Sequence, residues 1–240
     1  MRKAIVICLM MLLTGSAYAV VVDGYAYLGG QTNHEGIKVL FEADSPSAVT
    51  DSTFTDVSGY YSIDLSMGNY DVSYSNEGFF TSEVNNQILF SSTTLPNVTL
   101  LSYPPGIPIS GSVSGILEES AYAVIDSIWV LAGDTLIINS GSRFVFYNPN
   151  YELNFKIEGC LIATGLVNDS VSFLPATGYS WSGFDFHDAN STSRIEYCHI
   201  SGSNSSGLFL ENTTIVIHGC KIENCSAVSG GGILCVNSNA

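Results

Sequence analysis

Residues 195–200 read IEYCHI and residues 217–222 read IHGCKI, so the pattern I-x-x-C-x-I occurs twice, 22 residues apart. A second pattern, glycine followed by apolar-x-apolar, begins at Gly183, Gly207 and Gly232, at intervals of 24 and 25 residues. A repeat of this length, with short strands and few helix formers, is typical of a solenoid whose coils bury their apolar faces against one another.

Equivalent residues of successive coils lie above one another at the strand spacing of about 4.8 Å. Asparagine is favoured at the turns of such coils, because it tolerates the left-handed conformation and its amide can bond to the same amide on the next coil. The repeat predicts these stacked pairs: Cys198 with Cys220, Ile200 with Ile222, His199 with Lys221, Glu196 with His218, and Asn212 with Asn237.

The region 109–240 carries several further short strand patterns. Gly-Asp-Thr-Leu at 133–136 is followed by GCLIATG at 159–165, VSF at 171–173 and WSGF at 181–184. A leucine-rich repeat has a similar period, but leucine is too sparse here for that fold. On these motifs the region resembles the right-handed parallel β-helix of the pectin-lyase-like group. The resemblance implies the fold far more than the function, because polysaccharide lyases, glycosidases, adhesins and passive stalks share this architecture.

Upstream, the region from Val21 to Leu100 consists of short alternating runs with turn residues between them, a pattern that predicts an antiparallel β-sandwich. It resembles the carboxypeptidase regulatory-like domain, a transthyretin-like sandwich among the carbohydrate-binding-like folds. The matching motifs are GIKV at 36–39, GYY at 59–61 and GNYDV at 68–72. The resemblance implies a non-catalytic spacer or a binder. Its exposed tyrosines leave two options open, packing on the strand surface and stacking on sugar rings. The whole chain is therefore predicted to be all-β.

The chain begins with a basic start, an apolar run and Ala-Tyr-Ala at 17–19, which together predict a cleaved secretory signal peptide at 1–19 and no later membrane span. We predict the sandwich at 20–101 and the β-helix at 109–240, the latter truncated. Between them, 102–108 falls in the stretch LSYPPGIPIS, whose three prolines and glycine we expect to prevent both a strand ladder and a helix, so a linker is predicted.

The charge and cysteine content limit the partners. The formal charge is −15, and removal of Arg2 and Lys3 with the signal peptide leaves 5 basic against 22 acidic side chains, or −17. Such a chain repels nucleic acid, and also polyanionic sugar polymers unless a cation screens the contact. An odd number of cysteines follows the signal peptide, and two states remain open for them, buried apolar thiols or a disulfide between neighbouring positions. They are Cys160, Cys198, Cys220, Cys225 and Cys235.

The candidate catalytic residues lie in WSGFDFHD at 181–188. On a strand, Asp185 and His187 share a face, and Asp188 begins the following turn, so the group has the chemistry to hold a cation or a sugar hydroxyl. The alternative is a polar strand edge that runs into a loop. No cofactor or metal site is expected, and calcium is an option that no motif supports.

The last residues, SGGGILCVNSNA at 229–240, contain nothing that resembles a solenoid cap. We therefore expect a longer protein, with self-association through an open coil end as a further possibility. The leading hypothesis is an exported, non-enzymatic cell-surface or extracellular protein whose β-helix serves adhesion or the binding of a polysaccharide or cell-surface glycan. The alternative is a polysaccharide lyase or glycoside hydrolase whose catalytic coils lie largely beyond Ala240.

Overall fold

The computed structural model describes residues 19–45 and 48–240 of the chain. All of the regular secondary structure in these residues is strand, and none of it is helix, so the predicted all-β fold is confirmed. The chain separates into two compact units, Met1–Leu100 and Leu101–Ala240. The predicted signal peptide lies outside the described residues except for Ala19, which begins the first strand. The predicted domain limits stay predictions.

The first unit consists of two sheets that enclose one apolar core. Its strands are β1 (Ala19–Leu28), β2 (Lys38–Ser45), β3 (Val49–Phe54), β4 (Tyr60–Ser66), β5 (Gly68–Ser75), β6 (Ser82–Leu89), β7 (Thr93–Thr94) and β8 (Val98–Leu100). In one sheet β1 pairs antiparallel with β4 and parallel with β7 and β8. The other sheet has the order β3-β2-β5-β6 and is antiparallel throughout, as the alternating sequence predicts.

Every second residue of β1 points into this core, because side chains alternate across a strand. Tyr61 and Tyr74 face it from the two sheets, and their hydroxyl groups lie 2.9 Å apart in a hydrogen bond that satisfies both buried oxygens. Burial is also the main reason why the pKa values of both tyrosines are raised.

The second unit is a parallel β-solenoid of about five coils. Its strands are β9 (Ile107–Ser112), β10 (Gly115–Leu117), β11 (Ala121–Val130), β12 (Thr135–Ile138), β13 (Arg143–Phe146), β14 (Phe155–Ile157), β15 (Cys160–Thr164), β16 (Val171–Pro175), β17 (Phe184–His187), β18 (Arg194–Glu196), β19 (Cys198–Ser201), β20 (Leu208–Glu211), β21 (Val216–His218), β22 (Lys221–Glu223) and β23 (Ile233–Val236).

Each coil contributes one strand to each of three parallel faces. The first face has the order β10-β12-β15-β18-β21. The second face comprises the first half of β11 with β13, β16, β19 and β22, and the third face comprises the second half of β11 with β14, β17, β20 and β23. The register of β11 shifts between Val124 and Ile128, so one continuous strand serves two faces of the first coil.

Aromatic rings stack on one another in part of the solenoid interior. Tyr122, Phe144 and Phe173 are inward residues of three successive coils, and their ring centroids are 4.9 Å apart at each step. Phe146 stacks on Trp181 with a centroid distance of 4.0 Å. Because large aromatic side chains bury the most apolar area, these columns contribute much of the stability of the unit.

The stacked pairs predicted from the repeat are confirmed. His199 pairs with Lys221 and Ile200 with Ile222 in register, and Cys198 and Cys220 directly precede these residues on their two coils. Glu196 likewise pairs with His218. The I-x-x-C-x-I pattern spans two strands, β18 and β19, rather than one. The corner between them is Tyr197, which has a φ of 51°.

The predicted asparagine ladder is also present. The Asn237 side-chain amide nitrogen donates to Asn212 Oδ1 over 3.4 Å, and the two residues have φ values of 49° and 50°. Asp188 occupies the equivalent place one coil earlier with a φ of 50°. Residues that tolerate the left-handed conformation therefore follow the third-face strand of three successive coils.

The stretch LSYPPGIPIS is partly strand. The expectation that prolines prevent a ladder in LSYPPGIPIS is wrong for its second half, because β9 begins at Ile107 and Pro108 pairs with Ala123 of β11. β9 pairs with β11 alone among the described strands, and proline is tolerated on an edge strand because its missing N–H costs no ladder bond there.

The five described cysteines are all free thiols; Cys160 and Cys198 are buried and Cys235 is exposed.

Two glycines at the bends before β17 provide a matched test of coil packing. Gly183 and Gly178 have φ values of 80° and 85°, so alanine is strained at both positions by about 1–2 kcal/mol. A Cβ at Gly183 would also overlap the carbonyl oxygen of Ser206 on the next coil, whereas a Cβ at Gly178 meets nothing within 4 Å. We expect Gly183→Ala to lower the free energy of unfolding by a further ~1–3 kcal/mol relative to Gly178→Ala.

Urea unfolding followed by tryptophan fluorescence measures this difference. The two tryptophans of the chain, Trp129 and Trp181, both lie in the second unit, so the signal reports on the solenoid. Equal destabilisation by the two substitutions would contradict the close approach of successive coils at Gly183.

Candidate functional site

The outer surface of the third face carries a column of aromatic and charged side chains. The column runs across four coils in register: Trp129 on β11, Lys156 on β14, Asp185 on β17 and Phe209 on β20. At the strand spacing of about 4.8 Å, the first and last of these residues are about 14 Å apart. Trp129 is 38% exposed, and Phe209 is half-buried. The column is therefore a continuous strip with an aromatic ring near each end and an opposite pair of charges between them.

Beside this column lies an imidazole held between two carboxylates. His187 follows Asp185 by two residues and shares its face of β17, as the sequence predicts. His187 Nδ1 lies 2.9 Å from Glu211 Oε2 on the next coil, and His187 Nε2 lies 3.3 Å from Asp188 Oδ2 in the turn. The three candidate residues are thus brought to one surface. Their catalytic role stays a prediction.

Asp185 has an environment that differs from that of the other carboxylates on this face. Its pKa is raised, first because the side chain is half-buried, while Lys156 and His187 lower it and Glu211 raises it. Its Oδ1 atom is buried and receives no hydrogen bond from the part of the chain that the structure describes. An acceptor without a donor is costly to bury, so this oxygen favours any ligand that brings a hydroxyl or amide hydrogen to it.

Lys156 does not donate a hydrogen bond to Asp185 Oδ1. Its Nζ atom lies 2.7 Å from Glu158 Oε1 instead. That ion pair holds the pKa of Glu158 below its usual value. Glu158 directly follows β14, at the same end of the strand as the imidazole cluster on β17. The charged groups of this face are therefore paired along its edge, and the carboxyl of Asp185 lies between the aromatic residues.

Sequence reasoning identified only part of this surface. Asp185, His187 and Asp188 were found because they are consecutive in one short motif, whereas Trp129, Lys156, Phe209 and Glu211 come from other coils. The glycine-apolar-x-apolar repeat does align Asp185 with Phe209, so it contained a signal for that neighbour. Trp129 and Lys156 precede the repeat and had no such signal.

The described residues contain no group of three or more His, Cys, Asp and Glu side chains arranged to hold a metal ion. They also contain no helix with the length and apolar character required to cross a membrane.

Comparisons with known proteins assign no family to the chain. No protein-family model matches the chain, and no curated protein matches it. Two crystal structures of a type II cohesin–X-dockerin complex from Acetivibrio cellulolyticus are similar to part of it, one an N-terminal and the other a C-terminal interface mutant. The sequence identities are 23% and 22%, and the TM-scores are 0.31 and 0.30. Each match covers 35% of this chain and 58% of the other, a likeness too slight to carry a functional argument.

The raised pKa of Asp185 predicts a pH dependence. A carboxyl whose folded-state pKa lies above its ordinary value destabilises the fold as the pH rises from about 3.8 through the raised pKa, because the buried group then ionises. We therefore expect Asp185→Asn to become more stable relative to the wild type between pH 3 and pH 7. The gain stays below about 1 kcal/mol because the side chain is only half-buried.

Thermal unfolding of both proteins across this pH range, followed by tryptophan fluorescence, checks the prediction. Asp188→Asn is the control, because it removes the same charge from a side chain that is 66% exposed. If both variants show the same pH dependence relative to the wild type, burial of Asp185 is not the cause.

Proposed function

We propose that the chain belongs to an exported, non-enzymatic cell-surface or extracellular protein, and that the third face of its solenoid binds glycans. The observation that carries this proposal is the outward column of Trp129, Lys156, Asp185 and Phe209. Aromatic rings provide flat apolar surface for the C–H faces of sugar rings, and the charged groups between them provide hydrogen-bond partners for hydroxyl groups.

The rigidity of the solenoid supports a binding role. Each residue of the column is held on a strand that pairs with neighbours on both sides, so its position is fixed before a ligand arrives. A preformed surface avoids the entropy cost of ordering loops on binding. Opposite charges on the strip also favour a ligand rich in hydroxyl groups over a strongly charged polymer.

The remaining parts of the proposal rest on the sequence. The signal peptide predicted at 1–19 supports export, and the first unit, with two sheets around one core, is compatible with a carboxypeptidase regulatory-like domain that acts as a spacer or binder. The three parallel faces of the second unit are compatible with the pectin-lyase-like group. Both family assignments are part of this proposal.

A second candidate function is cleavage of a polysaccharide at the same face. Burial raises the pKa of Asp185, as a general acid requires, and Glu211, whose carboxylate contacts His187, lies on the next coil two residues further along its strand. Release of reducing or unsaturated ends from polysaccharides by the wild type, and its loss in Asp185→Asn, would favour this function over binding alone.

For the binding function, we expect Trp129→Ala and Phe209→Ala each to weaken glycan binding about tenfold, which is equivalent to ~1.4 kcal/mol. The loss follows from removal of an aromatic ring near either end of the strip. Trp129→Phe keeps a ring and should retain most of the binding. Native gels cast with mannan, hydroxyethyl cellulose, alginate or polygalacturonate, followed by calorimetry on the polymers that retard the protein, measure the effect.

The control is Ile116→Ala, which shortens an apolar side chain that is 60% exposed on the first face. Unchanged retardation of Trp129→Ala and Phe209→Ala, with melting temperatures near that of the wild type, would contradict glycan binding at the third face.

A further inference from the structure

A second aromatic surface lies on the first unit, on the outer side of the sheet that contains β1 and β4. Tyr25 and Tyr27 are alternate residues of β1 and point away from the core, and Tyr60 on β4 pairs with Tyr25 in register. The ring centroids of Tyr25 and Tyr60 are 5.4 Å apart, and those of Tyr25 and Tyr27 are 6.2 Å apart. Tyr25 is 37% and Tyr60 36% exposed, so the rings form a platform that solvent reaches.

Polar groups border this platform on both sides. The Tyr60 hydroxyl donates to Asp23 Oδ2 over 3.4 Å, whereas Asp23 Oδ1 is buried and has no hydrogen-bond partner among the described residues. Asp23 pairs in register with Ser62 on one side and Thr94 on the other. A carboxylate flanked by two hydroxyl residues and a phenol is a set suited to sugar hydroxyl groups, which both donate and accept.

At the other end, the ring of His34 packs edge-on against Tyr27 with a centroid distance of 5.0 Å. The Leu28 backbone N–H donates to His34 Nδ1 over 3.1 Å, so Nδ1 is an acceptor and the neutral ring carries its proton on Nε2. This contact fixes the tautomer and leaves one N–H donor beside the tyrosines.

The turn that leads into Tyr60 is locked by Asp56. Its Oδ1 accepts from the backbone N–H groups of Ser58 and Tyr60 over 2.8 and 3.0 Å. Gly59 has a φ of 86°, and the Ala26 backbone N–H donates to its carbonyl oxygen over 2.9 Å. The backbone that carries the Tyr60 ring is therefore held in place by contacts on the turn that precedes it.

We propose that this surface, which we call the tyrosine platform and define as Asp23, Tyr25, Tyr27, His34 and Tyr60, is a second binding site and takes a neutral polysaccharide. Aromatic rings beside hydroxyl and carboxylate groups recognise sugar rings rather than apolar peptides or lipids. The ligand is neutral because β1 and β4 contain no Lys or Arg, and Asp23 would repel an anionic polymer.

This site is independent of the third face of the solenoid, since it lies on the other unit and shares no residue with it. Two weak sites on one chain raise the strength of attachment to a polymer that offers many repeats, because the second contact becomes intramolecular. Loss of either site then weakens attachment to a long polymer, whereas binding of a short oligosaccharide at the remaining site is unaffected.

Native gels cast with hydroxyethyl cellulose, mannan or laminarin test the proposal. We expect Tyr25→Ala and Tyr60→Ala each to raise the dissociation constant at least tenfold in the double variant Trp129→Ala/Phe209→Ala, where the third face no longer binds. Tyr60→Phe keeps the ring and should stay within threefold of that background. The matched control is Phe54→Ala, which removes an aromatic ring that is 60% exposed on the other sheet of the same unit.

The outcomes separate this site from the one on the third face. The tyrosine platform is supported if the double variant is still retarded, if adding Tyr25→Ala abolishes this retardation, and if adding Phe54→Ala does not. This outcome does not depend on whether the third face binds glycans. If the double variant shows no retardation by any of the three neutral polymers, or if Tyr25→Ala and Tyr60→Ala bind as the double variant does, the platform is not a polysaccharide site. Melting temperatures of all variants show that the fold is kept.

Discussion

Backbone pairing between successive coils is the constraint on which the second unit depends. Parallel strands in register place each inward residue directly over its counterpart, so a large ring in one coil requires a neighbour that can stack on it. Phe144 over Phe173 satisfies this requirement, and so does Asn237 over Asn212 at the turn. The same register aligns the outward residues, which is why four coils together form one strip on the third face.

The repeating parts of the fold could be predicted from sequence, because the spacing of a repeat gives the register between strands of successive coils. Cys198, Ile200 and Asn212 were placed over their partners from sequence spacing alone. The three-faced cross-section was not predictable in the same way, since the corners have no common length. A single residue, Tyr197, separates β18 from β19, whereas a longer and variable stretch separates the second face from the third in every later coil.

The candidate sites, too, could be predicted only in part from the sequence. Asp185 and His187 could be placed on one face because strand alternation is a local property. The neighbours that define the environment of Asp185 come from sequence positions up to about 30 residues away, and the loops between them vary in length. The sequence left both packing and ligand binding open for the tyrosines of β1 and β4, because only the structure shows that Tyr25 and Tyr60 face solvent side by side.

The continuous strand β11 has a consequence for how the solenoid forms. It sets the angle between the second and third faces within a single strand, so the first coil can serve as a template for those that follow. Each later coil closes a loop of only about 25 residues onto its predecessor, a closure cost that stays constant as coils are added. Contact order relative to chain length therefore falls with every coil, and we expect such a chain to lengthen without becoming slower to fold.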